Sequence, residues 1–241
     1  MSIKIKLLAV SVLFCSASVF AQTERKKTNS TIDLSGSIGN SQGTGAVSFI
    51  HFWRVGKKRN IEIGAGIRFT SYFAESKYFI TAPARITSGK TGPAVFFIEN
   101  IKANIDSLLV PSSQVNALNL SVNFGYHISQ KFYAGFNIDA AGFSFGAKQN
   151  VNYINGTTAV NSTAKPTAFN LLLVSDNDIG TLNSEFFVTY KVNQNWSVKA
   201  GYQFLFSEYR TVTNAQQIPE PNDRFRNKVS AFIFGVRYQL N

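Results

Sequence analysis

The stretch 182–206 constrains the fold more than any other, because its residues alternate in character over two strand lengths. Ser184, Phe186, Val188, Tyr190 and Val192 fall on one side, followed by Trp196, Val198, Ala200, Tyr202, Phe204 and Phe206. Asn183, Glu185, Phe187, Thr189 and Lys191 fall on the other, followed by Ser197, Lys199, Gly201, Gln203 and Ser207. A period of two marks a strand with two unlike faces, since successive side chains leave opposite sides of the backbone. Only Asn193-Gln194-Asn195 interrupts it, and the apolar residues keep to one face across that turn, so the segment is a hairpin. What solvent the apolar face meets is then the question for the whole chain.

The same pattern predicts eight strands, at about 31–39, 46–55, 61–70, 115–127, 132–140, 182–192, 196–206 and 228–241. In the second, Val47, Phe49, Trp53 and Val55 share a face, but His51 falls among them and Ile50 and Phe52 fall opposite, so its orientation is ambiguous. In the fifth the phase is lost around 142–145, as a β-bulge would cause. The connections at 56–60, 129–131 and 193–195 are tight, whereas 74–114, 148–181 and 212–226 are long; the first loop, 40–45, is short as well. A structureless loop as long as 74–114 is uncommon in a compact domain. Its apolar pieces, 94–98 and 105–110, point to ordered structure such as a hairpin extending the third and fourth strands. No internal repeat or second domain is visible.

The chain starts with Lys4 and Lys6, a short apolar run from Leu7 to Phe14, and Val19 and Ala21 at the small-residue positions before Gln22. That is the form of a secretory signal peptide, 1–21, too short in its apolar core to span a membrane as a helix. Residues 22–29, with Arg25, Lys26 and Lys27, read as a disordered periplasmic leader, and 30–241 as the barrel domain. The single cysteine, Cys15, lies inside the leader peptide. Phe14 before it does not suit lipidation, and the exported chain has no thiol for disulfides, catalysis or metal ligation. The net charge is +11, of which Lys4 and Lys6 supply two. Nucleic-acid binding is not indicated, because the charge is spread over turns on both sides and no recognition module is present. Export, aromatic content of 14% and the lack of any later apolar helix fit a transmembrane β-barrel together.

A soluble barrel also alternates, with its apolar face inward. Three features favour the membrane. The opposite face carries mid-strand charges of both signs (Arg68, Asp139, Glu185, Lys199) beside glycines that would make room for long ion-paired side chains. The aromatics Trp53, Tyr126, Phe132, Tyr190, Trp196 and Tyr238 all lie beside tight turns or the C-terminus, as a girdle at one interface would. Short and long connections alternate, which places the tight turns and both termini on the periplasmic side of an outer membrane.

On this pattern the chain resembles the small eight-stranded outer-membrane barrels of the OmpA and OmpX type, and more closely the outer membrane protein β-barrel domain family widespread in Bacteroidota. The closing strand, 232–241, resembles the C-terminal signal read by the barrel-assembly machinery, although it ends in Asn241 rather than an aromatic residue. The resemblance implies an all-β, up-and-down antiparallel transmembrane barrel of eight strands. It implies no catalytic residues and no cofactor, since the family is functionally mixed.

Several clusters carry chemistry. Asp33, Glu62, Arg68, Asp139, Glu185, Lys191, Lys199 and Arg237 are expected to point into the lumen as an interior polar network. Asp33 and Arg237 should meet where the first and last strands close the ring. Eight strands leave an interior that side chains can fill, so a structural network is favoured over ion conduction. His127, Ser129 and Asp139 superficially resemble the His-x-Ser and carboxylate arrangement of outer-membrane lipid A deacylases, but His127 and Ser129 sit at a predicted periplasmic turn, away from the outer leaflet. His51 has no evident partner. Asp106-Ser107-Leu108 resembles a bacterial O-glycosylation acceptor. Arg210, Arg224, Arg226 and Lys228, bracketing the last long loop, are candidate contacts to lipopolysaccharide phosphates. The expected role is a non-enzymatic, monomeric barrel, structural or binding through its surface loops, in contact with outer-membrane lipid and lipopolysaccharide. A small passive channel or ligand-binding barrel is the second reading, a lipid A-modifying enzyme the third, a soluble ligand-binding barrel the fourth.

Overall fold

The computed structural model describes residues 26–92, 97–173 and 177–240, so the signal peptide expected at 1–21 lies outside the described residues. The strands are β1 (Thr28–Gly39), β2 (Gln42–Val55), β3 (Ile61–Thr81), β4 (Ser107–His127), β5 (Phe132–Phe145), β6 (Gln149–Asn155), β7 (Thr158–Pro166), β8 (Phe169–Leu171), β9 (Leu182–Lys191), β10 (Trp196–Thr211) and β11 (Arg224–Leu240). Eight of them, β1, β2, β3, β4, β5, β9, β10 and β11, pair antiparallel in that order, and β11 returns to β1 to close a ring. Closure leaves no unpaired sheet edge around this ring, which a strand structure needs in hydrocarbon. β1 already starts at Thr28, paired with Trp53, so the last two residues of the expected disordered leader are strand.

The tight turns 56–60, 128–131 and 192–195 lie at one end, with the start of β1 and the end of β11. Gly56 and Arg59 supply positive φ angles of 83° and 51° in the first of these turns. The ring is inside out. Leu34, Phe49, Ile67, Leu120, Phe186, Val198 and Phe234 are exposed outward, whereas Asp33, Arg68, Asn119, Asp139, Glu185 and Lys199 are buried within. β2 resolves in the same sense: Val47, Phe49, Trp53 and Val55 face out, and Ile50 and Phe52 are buried inside. The lost phase in β5 is a β-bulge. Leu120 pairs with Ala141 and Ser121 with Asp139, leaving Ala140 as the extra residue.

Above this ring the structure departs from eight simple strands. β3 and β4 outrun the β1–β2 hairpin, which ends opposite Ala74, and continue paired to Ile80 and Ser107. Much of the long connection 74–114 is therefore strand, the extension of the third and fourth strands that its apolar piece at 105–110 pointed to. Its pattern was hidden because the phase reverses where Ser76, at φ 50°, stands opposite Pro111 between the pairs Glu75–Ser112 and Lys77–Val110. Proline has no N–H to lose from the ladder, so it fits such an irregularity. The β6–β7 hairpin joins β4 to β10, and Phe225 and Arg226 of β11 pair with Thr81 and Ile80 of β3. Six strands, β3, β4, β6, β7, β10 and β11, thus close a second, narrower ring on top of the first. Its inside is apolar: Tyr72, Phe79, Leu108, Val110, Tyr153, Leu205, Tyr209 and Phe225 form one buried core.

Candidate functional site

The lumen of the lower ring is built in layers. Nearest the tight turns, Arg54 Nε donates to Glu62 Oε1 at 2.6 Å, and His127 Nε2 lies 3.0 Å from the same oxygen. Next, Arg237 meets Asp33 across the β1–β11 seam with both forks engaged, Nε to Oδ1 at 2.8 Å and Nη2 to Oδ2 at 2.7 Å. The two residues are directly opposite in the strand register. The guanidinium lies 5.0 Å from the ring centres of Tyr133 and Phe187 and 5.6 Å from that of Phe52. This arrangement gives a buried cation partners on its faces as well as its edges.

From there the charges alternate inward. Lys199 Nζ lies 3.7 Å from Asp33 and donates to Glu185 Oε2 at 2.6 Å. Glu185 lies 3.7 Å from Arg68, whose Nε and Nη2 donate to Asp139 Oδ1 at 2.8 and 2.5 Å. Asn119, Asn137 and the Asn183 backbone complete the shell around Arg68 and Asp139. Three cations and three anions therefore form one continuous, neutral chain. Burying any of them alone would be costly, and the alternation offsets that cost. Asp33, Glu62, Arg68, Asp139, Glu185, Lys199 and Arg237 all belong to the lumen. Lys191 shares their register but lies half-exposed at the rim, where no ion pair is found for it among the described residues.

Gly64, Gly125 and Gly135 make room for aromatic rings rather than for the long charged side chains expected beside them. A Cβ on Gly125 would stand 1.8 Å from the Tyr133 hydroxyl, and one on Gly64 2.6 Å from Phe52 Cδ1. Ring over glycine is how the lower lumen reaches close packing while the barrel stays narrow.

Water does not reach the middle layer: the side chains of Arg68 and Asp139 are 1% and 0% exposed. Above them, Gln203 Oε1 accepts from Ser37 and Thr44 at 3.2 and 2.9 Å, and then the apolar core of the narrow ring begins.

Of the four cations expected at lipopolysaccharide, Arg224 and Arg226 are drawn together by one carboxylate, that of Glu208. Glu208 continues the outward register of Phe204 and Phe206 beyond the belt. Arg224 Nε and Arg226 Nη2 both donate to its carboxylate at 2.9 Å, and the Asp178 carbonyl accepts from both arginines. Burial pushes Glu208 up, but Arg226 and Arg224 outweigh it and hold the carboxyl below the usual carboxylate range. Arg210 is exposed and lies 3.3 Å from Asp223, and Lys228 is exposed beside the Phe206 ring.

The other candidates do not assemble. His127 bonds Glu62, Ser129 Oγ accepts from the backbone N–H of Lys131 and Phe132, and Asp139 belongs to Arg68, so these three form no triad. His51 Nδ1 lies 2.9 Å from Ser30 Oγ, its opposite number across β1–β2, a partner that only the register reveals. Leu108 of the Asp106-Ser107-Leu108 tripeptide is buried in the apolar core, and Asp106 accepts the Tyr153 hydroxyl at 2.5 Å.

No protein-family model and no curated protein matches this chain in sequence. Among solved structures it is similar to Neisserial surface protein A, with 10% identity over 88% of this chain and 94% of that one and a TM-score of 0.34. It is similar also to Ail, the attachment invasion locus protein of Yersinia pestis, solved with the heparin analogue sucrose octasulfate (7% identity, 88% and 97% covered, TM-score 0.35). A third is a major outer membrane protein of Thermus thermophilus (10% identity, 89% and 100% covered, TM-score 0.37).

Proposed function

We propose that this chain is an outer-membrane β-barrel that does not conduct, and that its role is to hold the narrow upper ring as a rigid platform at the cell surface. The observation that carries this reading is the stacking of two seals, a neutral ladder of buried ion pairs beneath an apolar core. A water-filled pore needs a continuous polar path with accessible side chains along it, and the Arg68–Asp139 layer has none. The lumen groups are committed to one another, which also argues for a non-enzymatic role.

The platform would present the connections 82–106 and 212–223 and the tip of the β6–β7 hairpin to partners outside. Gln216 ties these connections together, donating to the Asn104 carbonyl at 2.9 Å and accepting from Thr81 at 3.0 Å. Arg210 and Lys228, which are exposed at the surface, are the cations proposed to meet lipopolysaccharide phosphate. With the signal peptide removed and the barrel-assembly machinery recognising the last strand, the protein would act as a monomer with both termini periplasmic.

Planar-bilayer recording of the folded protein tests the reading. Silence under applied voltage is expected, and stable unitary openings in the unmodified protein would replace it with the channel.

A further inference from the structure

The two ends of the barrel differ in charge in a way that the functional reading does not use. At the tight-turn end Lys26, Lys27, Lys57, Lys58 and Lys131 are exposed and Lys191 is half-exposed. The acids nearest to them among the described residues, Glu62 and Asp33, are buried and already paired. The opposite end mixes its cations with acids that they reach, as in Arg85–Glu220 and Arg210–Asp223. One end is therefore a cationic collar, whereas at the other seven acids stand among ten cations in the described residues.

The collar also has a definite depth. Trp53, Tyr126, Phe132, Tyr190 and Trp196 stand outward and about half-exposed at this end. Phe132 packs on Tyr190, and Trp196 on Tyr238, with ring centres 5.1 and 4.8 Å apart. Such a belt marks the level where acyl chains give way to headgroups. Lys131 and Lys191 are sequence neighbours of the belt residues Phe132 and Tyr190, and Lys57 and Lys58 lie just past Trp53, so their ammonium groups stand at the height of headgroup phosphates.

We propose that this collar binds the phosphates of anionic phospholipid headgroups in the leaflet that the tight-turn end meets, and so selects acidic phospholipids around the barrel. The inference rests on the transmembrane reading. Lysine suits the role, since a flexible point charge can follow mobile headgroups. Each cation near an anionic surface contributes a preference of about fivefold, falling with ionic strength.

The test is lipid retention. The folded protein is placed in vesicles of equal phosphatidylcholine and phosphatidylglycerol, extracted into non-ionic detergent, and its bound lipids are identified by native mass spectrometry. Several-fold enrichment of phosphatidylglycerol is expected, lost in high salt and in K57Q/K58Q/K131Q, but kept in K90Q/K102Q/K148Q at the other end. The salt arm needs no variant, so a misfolded triple variant does not remove the test. Equal retention of both lipids by an inserted wild-type barrel would overturn the collar while leaving the barrel standing. A chain that fails to insert at all would overturn both. If lipid A replaces phosphatidylglycerol and K57Q/K58Q/K131Q lowers lipid A retention alone, the collar belongs to lipid A and the phospholipid assignment is wrong.

Discussion

Arg237 and Asp33 join the last strand of the barrel to the first through a two-pronged ion pair, at 2.8 and 2.7 Å, buried inside the lumen. They are separated by almost the whole chain, so the pair forms only when the ring closes. Removing one partner strands a charge where water cannot reach it. Arg237→Met is expected to lower stability by about 3–5 kcal/mol, read from urea unfolding in vesicles. Asp33→Leu/Arg237→Met should cost less than the sum of its single changes, because the pair is coupled. Additive losses would mean that the seam pair is incidental.

Gly125 is the narrowest point of the aromatic layer. Gly125→Ala places a methyl into the Tyr133 ring and should cost about 1–3 kcal/mol by overpacking. In a Tyr133→Ala background the further cost of Gly125→Ala should shrink, since the contact is gone. Heat-modifiable migration on gels gives the ranking.

The outer ends of β10 and β11 should loosen in acid. Glu208 has its carboxyl held below the ordinary value of 4.5 in the folded protein, so its ion pairs with Arg224 and Arg226 contribute stability above that value. That contribution is lost as the pH falls through the lower, folded pKa. Hydrogen exchange at the outer ends of β10 and β11 should therefore accelerate below about pH 4. Glu208→Gln should abolish this pH dependence and leave the exchange fast throughout.

Phe79 and Tyr209 lock the apolar core of the narrow ring, their rings edge to face at 5.2 Å. Phe79→Ala should cost about 3–5 kcal/mol, as for a large ring removed from a packed core. The loss should be confined to the upper ring in hydrogen exchange. A loss shared evenly by all eight strands of the lower ring would show that the two rings unfold as one.

The lower ring was legible because every strand there turns an apolar face outward and its charged side chains inward. That rule placed Asp33 opposite Arg237 and signalled a bulge in the fifth strand at 142–145, a few residues beyond its actual place at Ala140. In the upper ring the rule inverts. Ser112, Gln114 and Asn116 face out and Val110, Val115 and Leu108 face in, as in a soluble protein, so strands there looked like loop. Arg224 and Arg226, for the same reason expected at the edge of the loop 212–226, are paired strand residues, and Glu208, their partner, carries no sequence signal of its own. The β6–β7 hairpin did leave a signal, Asn155-Gly156 between alternating residues, with Gly156 at φ 56°. The aromatic filling of the lumen was not legible, because a ring fits over a glycine only when the register brings them together, as it does Phe52 and Gly64.

The claim on which the rest depends is that the apolar outer face meets lipid. The chain has two tryptophans, Trp53 and Trp196, and both stand outward in the belt, 48% and 47% exposed. Their fluorescence in vesicles of lipids brominated at graded depths reads that face directly. Strong quenching by bromines near the headgroup end of the acyl chain, fading toward the bilayer centre, is the predicted result. Tryptophan emission unchanged by bromine at every depth would contradict it.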